Sequence, residues 1–100
     1  TNINQNSIYD VLINQKNINE CIEKTEIEYL DIVPSSSKLA GAEIELVGMF
    51  TRESILKDVI SNVHGKYKYI IIDSPPSLGL LTVNIFTAVN SLVYDLLMNA

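Results

Sequence analysis

The sequence predicts an α/β fold: a three-stranded, mostly parallel sheet with flanking helices. Three observations predict it. Apolar β-rich runs alternate with helix-period patterns in the order strand, helices, strand, helix, strand, which is what right-handed crossovers in a parallel sheet produce. The run Tyr67-Lys68-Tyr69-Ile70-Ile71-Ile72 ends almost unbroken in apolar residues, as a strand covered on both faces does. The chain has 100 residues, 47% of them hydrophobic, which suffices for one small domain with a modest core, residues 1–100.

The Asn-rich start (Asn2, Asn4, Asn6) reads as loosely ordered over residues 1–6, because asparagine favours turns and caps. A short helix begins at Ser7. Serine is a good N-cap, Asp10 stands three residues on in a weak capping box, and Ile8, Val11 and Leu12 share helical spacing. A second short helix is expected over residues 19–24, with Ile18 and Ile22 on one face. Tyr29-Leu30-Asp31-Ile32-Val33 is a strand stopped by Pro34. Ser35-Ser36-Ser37 leads, as loop or cap, into a helix over 39–47 that Gly48 closes.

The clearest helix spans 52–63. Thr51 is its expected N-cap, Glu53 suits the positive end of the dipole, and Ile55, Leu56, Val59, Ile60 and Val63 form one apolar stripe. Gly65 stops it. A strand over 67–72, a loop over 73–79, an apolar helix over 80–89 and a third strand over 91–97 complete the chain. Three strands make a thin sheet. The helix over 80–89 has little polar face beyond Thr82, Asn84 and Thr87, so it needs cover.

Composition removes several classes of function. Seven basic against twelve acidic residues give a net charge of −5, which argues against a basic nucleic-acid or anionic-membrane binder. The one cysteine, Cys21, excludes an internal disulfide and a cysteine zinc cluster, and with one histidine a zinc site would need carboxylates, for which nothing is spaced. No stretch approaches eighteen apolar residues, and Thr1-Asn2-Ile3-Asn4 carries no secretory pattern, so a cytoplasmic protein without membrane contact is expected. The chain starts without Met, as a processed chain or a piece of a longer one does.

The informative stretch is Ile70-Ile71-Ile72-Asp73-Ser74-Pro75-Pro76-Ser77-Leu78-Gly79. It sets a carboxylate at the C-terminal tip of a buried strand, the edge where open α/β sheets bind ligands. An apolar strand ending in Asp is the Walker B arrangement, in which the carboxylate holds Mg²⁺ directly or through water. It is also what an ordinary turn former or N-cap looks like. The two prolines that follow fix φ and remove two donors, so the loop leaves the strand stiffly. A stiff loop beside a γ-phosphate acts as a switch.

Residues 69–84, Tyr-Ile-Ile-Ile-Asp-Ser-Pro-Pro-Ser-Leu-Gly-Leu-Leu-Thr-Val-Asn, resemble the switch II and Walker B segment of the ParA/Soj chromosome- and plasmid-partitioning ATPases. Ile8-Tyr9-Asp10-Val11-Leu12, Leu30-Asp31-Ile32-Val33-Pro34-Ser35-Ser36 and Leu39-Ala40-Gly41-Ala42-Glu43-Ile44-Glu45-Leu46 match further segments of that family in the right order, so the resemblance covers residues 8–93. It implies a partial P-loop NTPase-type fold and, for a longer parent protein, Mg²⁺, ATP, a nucleotide-dependent homodimer, a ParB-like activator and DNA bound through regions outside this segment. Asp73 would be the catalytic residue and hold the Mg²⁺ shell, and Ser74, Pro75 and Pro76 would wall the γ-phosphate.

The family's glycine-rich phosphate loop, roughly Gly-x₄-Gly-Lys-Ser/Thr, is absent. The one Gly-Lys pair, Gly65-Lys66, is followed by Tyr67, and Ile60 stands where the first glycine belongs. The tail from Tyr94 to Ala100 also departs from the family, with Asp95 inside the expected third strand. The fragment is therefore expected to bind no nucleotide or metal alone. An alternative is a truncated, non-catalytic interaction module that self-associates or binds a partner through its apolar helix.

Other residues have ordinary explanations. His64 suits a helix C-terminus. Cys21 reads as a small buried hydrophobe. Glu43 and Glu45 lie on opposite sides of one helix and are not a catalytic pair.

Overall fold

The computed structural model describes residues 6–74 and 79–98. In chain order these form helix α1 (Ile8–Ile13), a 3₁₀ turn (Ile18–Glu20), strands β1 (Glu23–Lys24) and β2 (Asp31–Ile32), a 3₁₀ turn (Ser37–Gly41), helix α2 (Ala42–Val47), helix α3 (Ile55–Ser61), a 3₁₀ turn (His64–Lys66) and helix α4 (Leu80–Met98). The expectation of a loose start falls mostly on residues outside the described ones.

α1 forms where the capping signal predicts. The Asp10 carboxylate accepts the Ser7 N–H at 3.0 Å and the Ser7 hydroxyl at 2.8 Å, closing the first turn on itself. Asn14 Nδ2 donates to the other Asp10 oxygen at 3.2 Å. The Ile8 N–H donates to the Pro34 carbonyl at 2.8 Å, which docks this helix against the exit of β2.

Burial would raise the Asp10 pKa, but the bonds from Ser7 and Asn14 outweigh it and hold the group below the ordinary carboxylate value. A depressed folded-state pKa stabilises the fold above the unfolded value and stops doing so as pH falls through the folded one. Acid titration followed by circular dichroism should therefore show Asp10→Asn narrowing its stability deficit as pH falls below the ordinary aspartate range.

The expected helix over 19–24 is replaced by a hairpin. Asn17 Oδ1 accepts the Asn19 N–H at 2.9 Å, a local bond that competes with helix and leaves only one 3₁₀ turn. Glu23 and Lys24 then pair antiparallel with Ile32 and Asp31. Thr25 closes the turn, its hydroxyl donating to the Leu30 carbonyl at 2.7 Å, while Tyr29 takes a φ of 67°. Lys24 and Tyr67 both approach Asp31, the Tyr67 hydroxyl donating to it at 2.7 Å.

The three-stranded, mostly parallel sheet is not what forms. The described residues hold one two-stranded antiparallel sheet, β1 against β2. Residues 67–74 carry no strand, although Ile70 and Ile72 are half-buried while Tyr69 and Ile71 are 76% and 92% exposed, the in–out alternation of an extended chain. Hydrogen-bonded neighbours make a strand, and none of the described residues pairs with this run in a sheet. The expected third strand over 91–97 is also overturned, because α4 runs unbroken to Met98.

Two further helices are shorter than their apolar stripes predict. Over 39–47 the chain starts as a 3₁₀ turn, with Ser36 Oγ accepting the Lys38 N–H at 3.1 Å, before α2 begins; Gly48 closes it as expected. Over 52–63, Thr51 is not the N-cap. It sits at φ 51°, donates its hydroxyl to the Phe50 carbonyl and leads a turn that delays α3 to Ile55.

The core has two clusters with α1 between them. Val11, Ile18, Cys21 and Val63 form one, with Ile8, Val33, Val59 and Tyr67 against it. Leu12, Leu56, Ile60 and Ala88 form the other, with Ile70, Ile72, Leu81 and Ile85 against it. Cys21 is fully buried, as a small hydrophobe would be, and desolvation pushes its thiol pKa up. The cluster around Leu12 anchors both arms of the segment that carries Asp73.

Candidate functional site

Asp73 and Ser74 close the extended run 67–74, and both are exposed. Ile70 and Ile72 hold that run by packing against the cluster of Leu12, Leu56, Ile60 and Ala88. No described residue forms a hydrogen bond or ion pair with the Asp73 carboxylate, so both its oxygens are available to solvent or a ligand. Of the four expected site residues, the structure brings Asp73 and Ser74 together; Pro75 and Pro76 lie outside the described residues. A shallow cleft of about 610 Å³ between α1 and α3, with Phe50 and Thr51 on its rim, does not include Asp73 or Ser74 in its lining.

The described chain resumes at Gly79, just before α4. The free N–H groups at a helix start need acceptors. Here the acceptor comes from another helix: the Glu43 carboxylate of α2 receives the Leu80 N–H at 2.6 Å and the Leu81 N–H at 3.1 Å. Its charge also complements the positive end of the α4 dipole. A Cβ on Gly79 would overlap the Glu43 carboxylate, so this close approach requires glycine. Its neighbour Glu45 turns elsewhere, accepting the Tyr9 hydroxyl at 2.7 Å and 2.8 Å. That bond is the main cause of a raised Tyr9 pKa.

One turn into α4, Asn84 is 1% exposed and engages both ends of its amide. Its oxygen accepts the Leu56 N–H at 3.1 Å, capping α3 from outside. Its nitrogen donates to the carbonyls of Arg52 at 2.7 Å and Leu80 at 2.8 Å. Sequence reasoning missed both Glu43 and Asn84 as organising residues. An asparagine in an otherwise apolar helix was the available signal for Asn84; Glu43 had none, since its role is purely tertiary.

Comparison with known proteins gives a consistent picture. The AAA domain family matches residues 1–99. The sporulation initiation inhibitor protein Soj of Bacillus subtilis (strain 168) is 49% identical over 86 residues, 86% of this chain and 34% of that protein. The chromosome partitioning protein ParA of Myxococcus xanthus (strain DK1622) is 46% identical over 90% of this chain and 32% of its own length. Among solved structures, cobyrinic acid a,c-diamide synthase from Mycobacterium smegmatis with bound ADP and magnesium superposes with a TM-score of 0.75 at 36% identity, covering 82% of this chain and 33% of that one. The same enzyme with a bound ATP analogue and magnesium matches equally. The chain thus spans about a third of the length of these relatives, 34% of the Bacillus protein. With its match to the family over nearly every residue and its close likeness to Soj and ParA, the chain belongs to the ParA/Soj group of AAA domain proteins.

Proposed function

We propose that the complete protein is a Mg²⁺-dependent ATPase of chromosome or plasmid partitioning, and that this chain supplies its Walker B aspartate, Asp73, and its switch II residues Ser74, Pro75 and Pro76. The observation that carries this is an exposed carboxylate, free of described partners, at the end of an extended run anchored in the core through Ile70 and Ile72. The names of the relatives support the partitioning role, and the nucleotide and magnesium bound to the Mycobacterium enzyme support the cofactors.

The donor set fits a magnesium–nucleotide pair. Among the described residues no three His, Cys, Asp or Glu gather as a metal site. Mg²⁺ characteristically takes one or two protein carboxylates, substrate phosphates and waters, so a single aspartate is a sufficient protein contribution. Bound Mg²⁺ neutralises charge on the phosphates. Asp73 would fix the position of the cation's shell, directly or through a water. Ser74, Pro75 and Pro76 would wall the γ-phosphate and the attacking water. Catalysis is then positioning and charge stabilisation, with no covalent step on the protein.

A homodimer, a ParB-like activator, DNA bound through other regions and a cytoplasmic setting belong to the same reading. No helix among the described residues is long and apolar enough to cross a membrane. The exposed α4 residues Val83, Phe86 and Val89, at 39%, 65% and 40%, favour the alternative of a non-catalytic module that associates through this helix.

One experiment separates the two. The full-length protein should hydrolyse ATP with Mg²⁺ and stop when Mg²⁺ is chelated. The 100-residue chain, which has no phosphate loop, should show no Mg²⁺-dependent ATP binding by calorimetry. A full-length protein without Mg²⁺-dependent hydrolysis would sink the ATPase reading, and micromolar binding by the chain alone would sink the assignment of the phosphates to a separate loop.

A further inference from the structure

The bond between Glu43 and the start of α4 has a consequence for catalysis. Asp73 stands at one end of the connection from the extended run to α4, and Leu80 and Leu81 stand at the other. The Asp73 end is held by apolar packing of Ile70 and Ile72. The α4 end is held by two hydrogen bonds to a single carboxylate of α2, at 2.6 Å and 3.1 Å. Leu81 and Ile85 then join α4 to the same apolar cluster that holds Ile70 and Ile72. The two ends are thus referenced to one core, and Glu43 is the polar tie that sets where α4 begins.

We propose that Glu43 is a positioning residue of the ATPase, acting on the placement of Asp73 through the first turn of α4 and the apolar cluster that α4 shares with Ile70 and Ile72. The proposal rests on the ATPase reading above. Gly79 belongs to the same device. Its missing side chain is the space in which the Glu43 carboxylate lies, and any Cβ there would displace the tie. A carboxylate suits this role because it accepts two adjacent N–H groups at once and places a negative charge at a helix start, whereas an amide would turn a donor toward one of them.

The test is steady-state ATP hydrolysis by the full-length protein. Glu43→Ala should lower kcat about tenfold with KM for ATP within about twofold, because the group positions the reacting centre and does not hold the nucleotide. Glu43→Gln, which keeps one acceptor, should lie between. Gly79→Ala should lower kcat similarly by pushing the carboxylate away. Combined with Glu43→Ala it should add little, since the Cβ then meets no carboxylate, and that non-additivity is a signature a general loss of stability does not produce.

Asp73→Ala serves as the control. If it abolishes hydrolysis while folded Glu43→Ala and Gly79→Ala keep wild-type kcat, the positioning role is overturned and the ATPase reading survives. If Asp73→Ala leaves hydrolysis intact, the reading of Asp73 itself has failed. A fall in melting temperature with kcat unchanged would reduce Glu43 to a helix cap.

Discussion

Replacing Asn84 with leucine is expected to destabilise the protein by about 2–3 kcal/mol. The side chain is 1% exposed and its three bonds reach the Leu56 N–H and the carbonyls of Arg52 and Leu80. Leucine matches the branching but is bulkier, and it leaves the buried Leu56 donor without a partner at about 1–3 kcal/mol, besides removing the bond to the carbonyl of the exposed Arg52. Asn84→Asp should be milder at the Leu56 end, because an acceptor remains, and worse at the carbonyls, where it sets oxygen against oxygen. Urea denaturation of the full-length protein measures this; a loss below about 1 kcal/mol for Asn84→Leu would mean the α3–α4 junction is not closed by this amide.

The second large effect is on activity. Asp73→Ala should lower Mg²⁺-dependent ATP hydrolysis of the full-length protein by about 100-fold or more, the scale seen when one preorganised charge-stabilising group is removed. Because the carboxylate is exposed and bonds to no described residue, its removal should leave the melting temperature nearly unchanged. That separation of activity from stability is opposite to the behaviour expected of Asn84. Asp73→Asn should act like alanine, since it keeps the size and loses the charge that attracts the cation. A variant with wild-type hydrolysis would show that the cation is held elsewhere.

What was legible in the sequence was local. Ser7 and Asp10 announce the start of α1, Gly48 its counterpart at the end of α2, and both act within one turn of chain. The family likeness was legible because the block from Tyr69 to Asn84 is specific in itself. The sheet was not legible. Residues 67–72 have the composition of a buried strand, but a strand is completed by paired neighbours, and none of the described residues pairs with this run. The stretch 91–97 shows the limit of periodicity: a short apolar run suits either state, and an established helix continues through it at little cost.

The site was half legible for the same reason. Asp73 stands out as a candidate because an aspartate after an apolar run is a one-dimensional pattern. Glu43 could not, because its partners Leu80 and Leu81 are remote in sequence and offer only backbone N–H groups, which every residue but proline carries. The expectation that Glu43 and Glu45 serve different faces did hold: one meets α4, the other the Tyr9 hydroxyl.

The burial of Cys21 has a practical corollary. Its sulfur is fully shielded between α1 and the segment around Val63, and desolvation disfavours the thiolate on which modification depends. A thiol reagent can reach it only when those elements part. Under native conditions, with reclosing faster than reaction, the labelling rate of this chain's one thiol equals its rate in an unfolded chain multiplied by the fraction of molecules open at that moment. The protein thus carries its own clock for breathing of the core, read by mass spectrometry without any introduced probe.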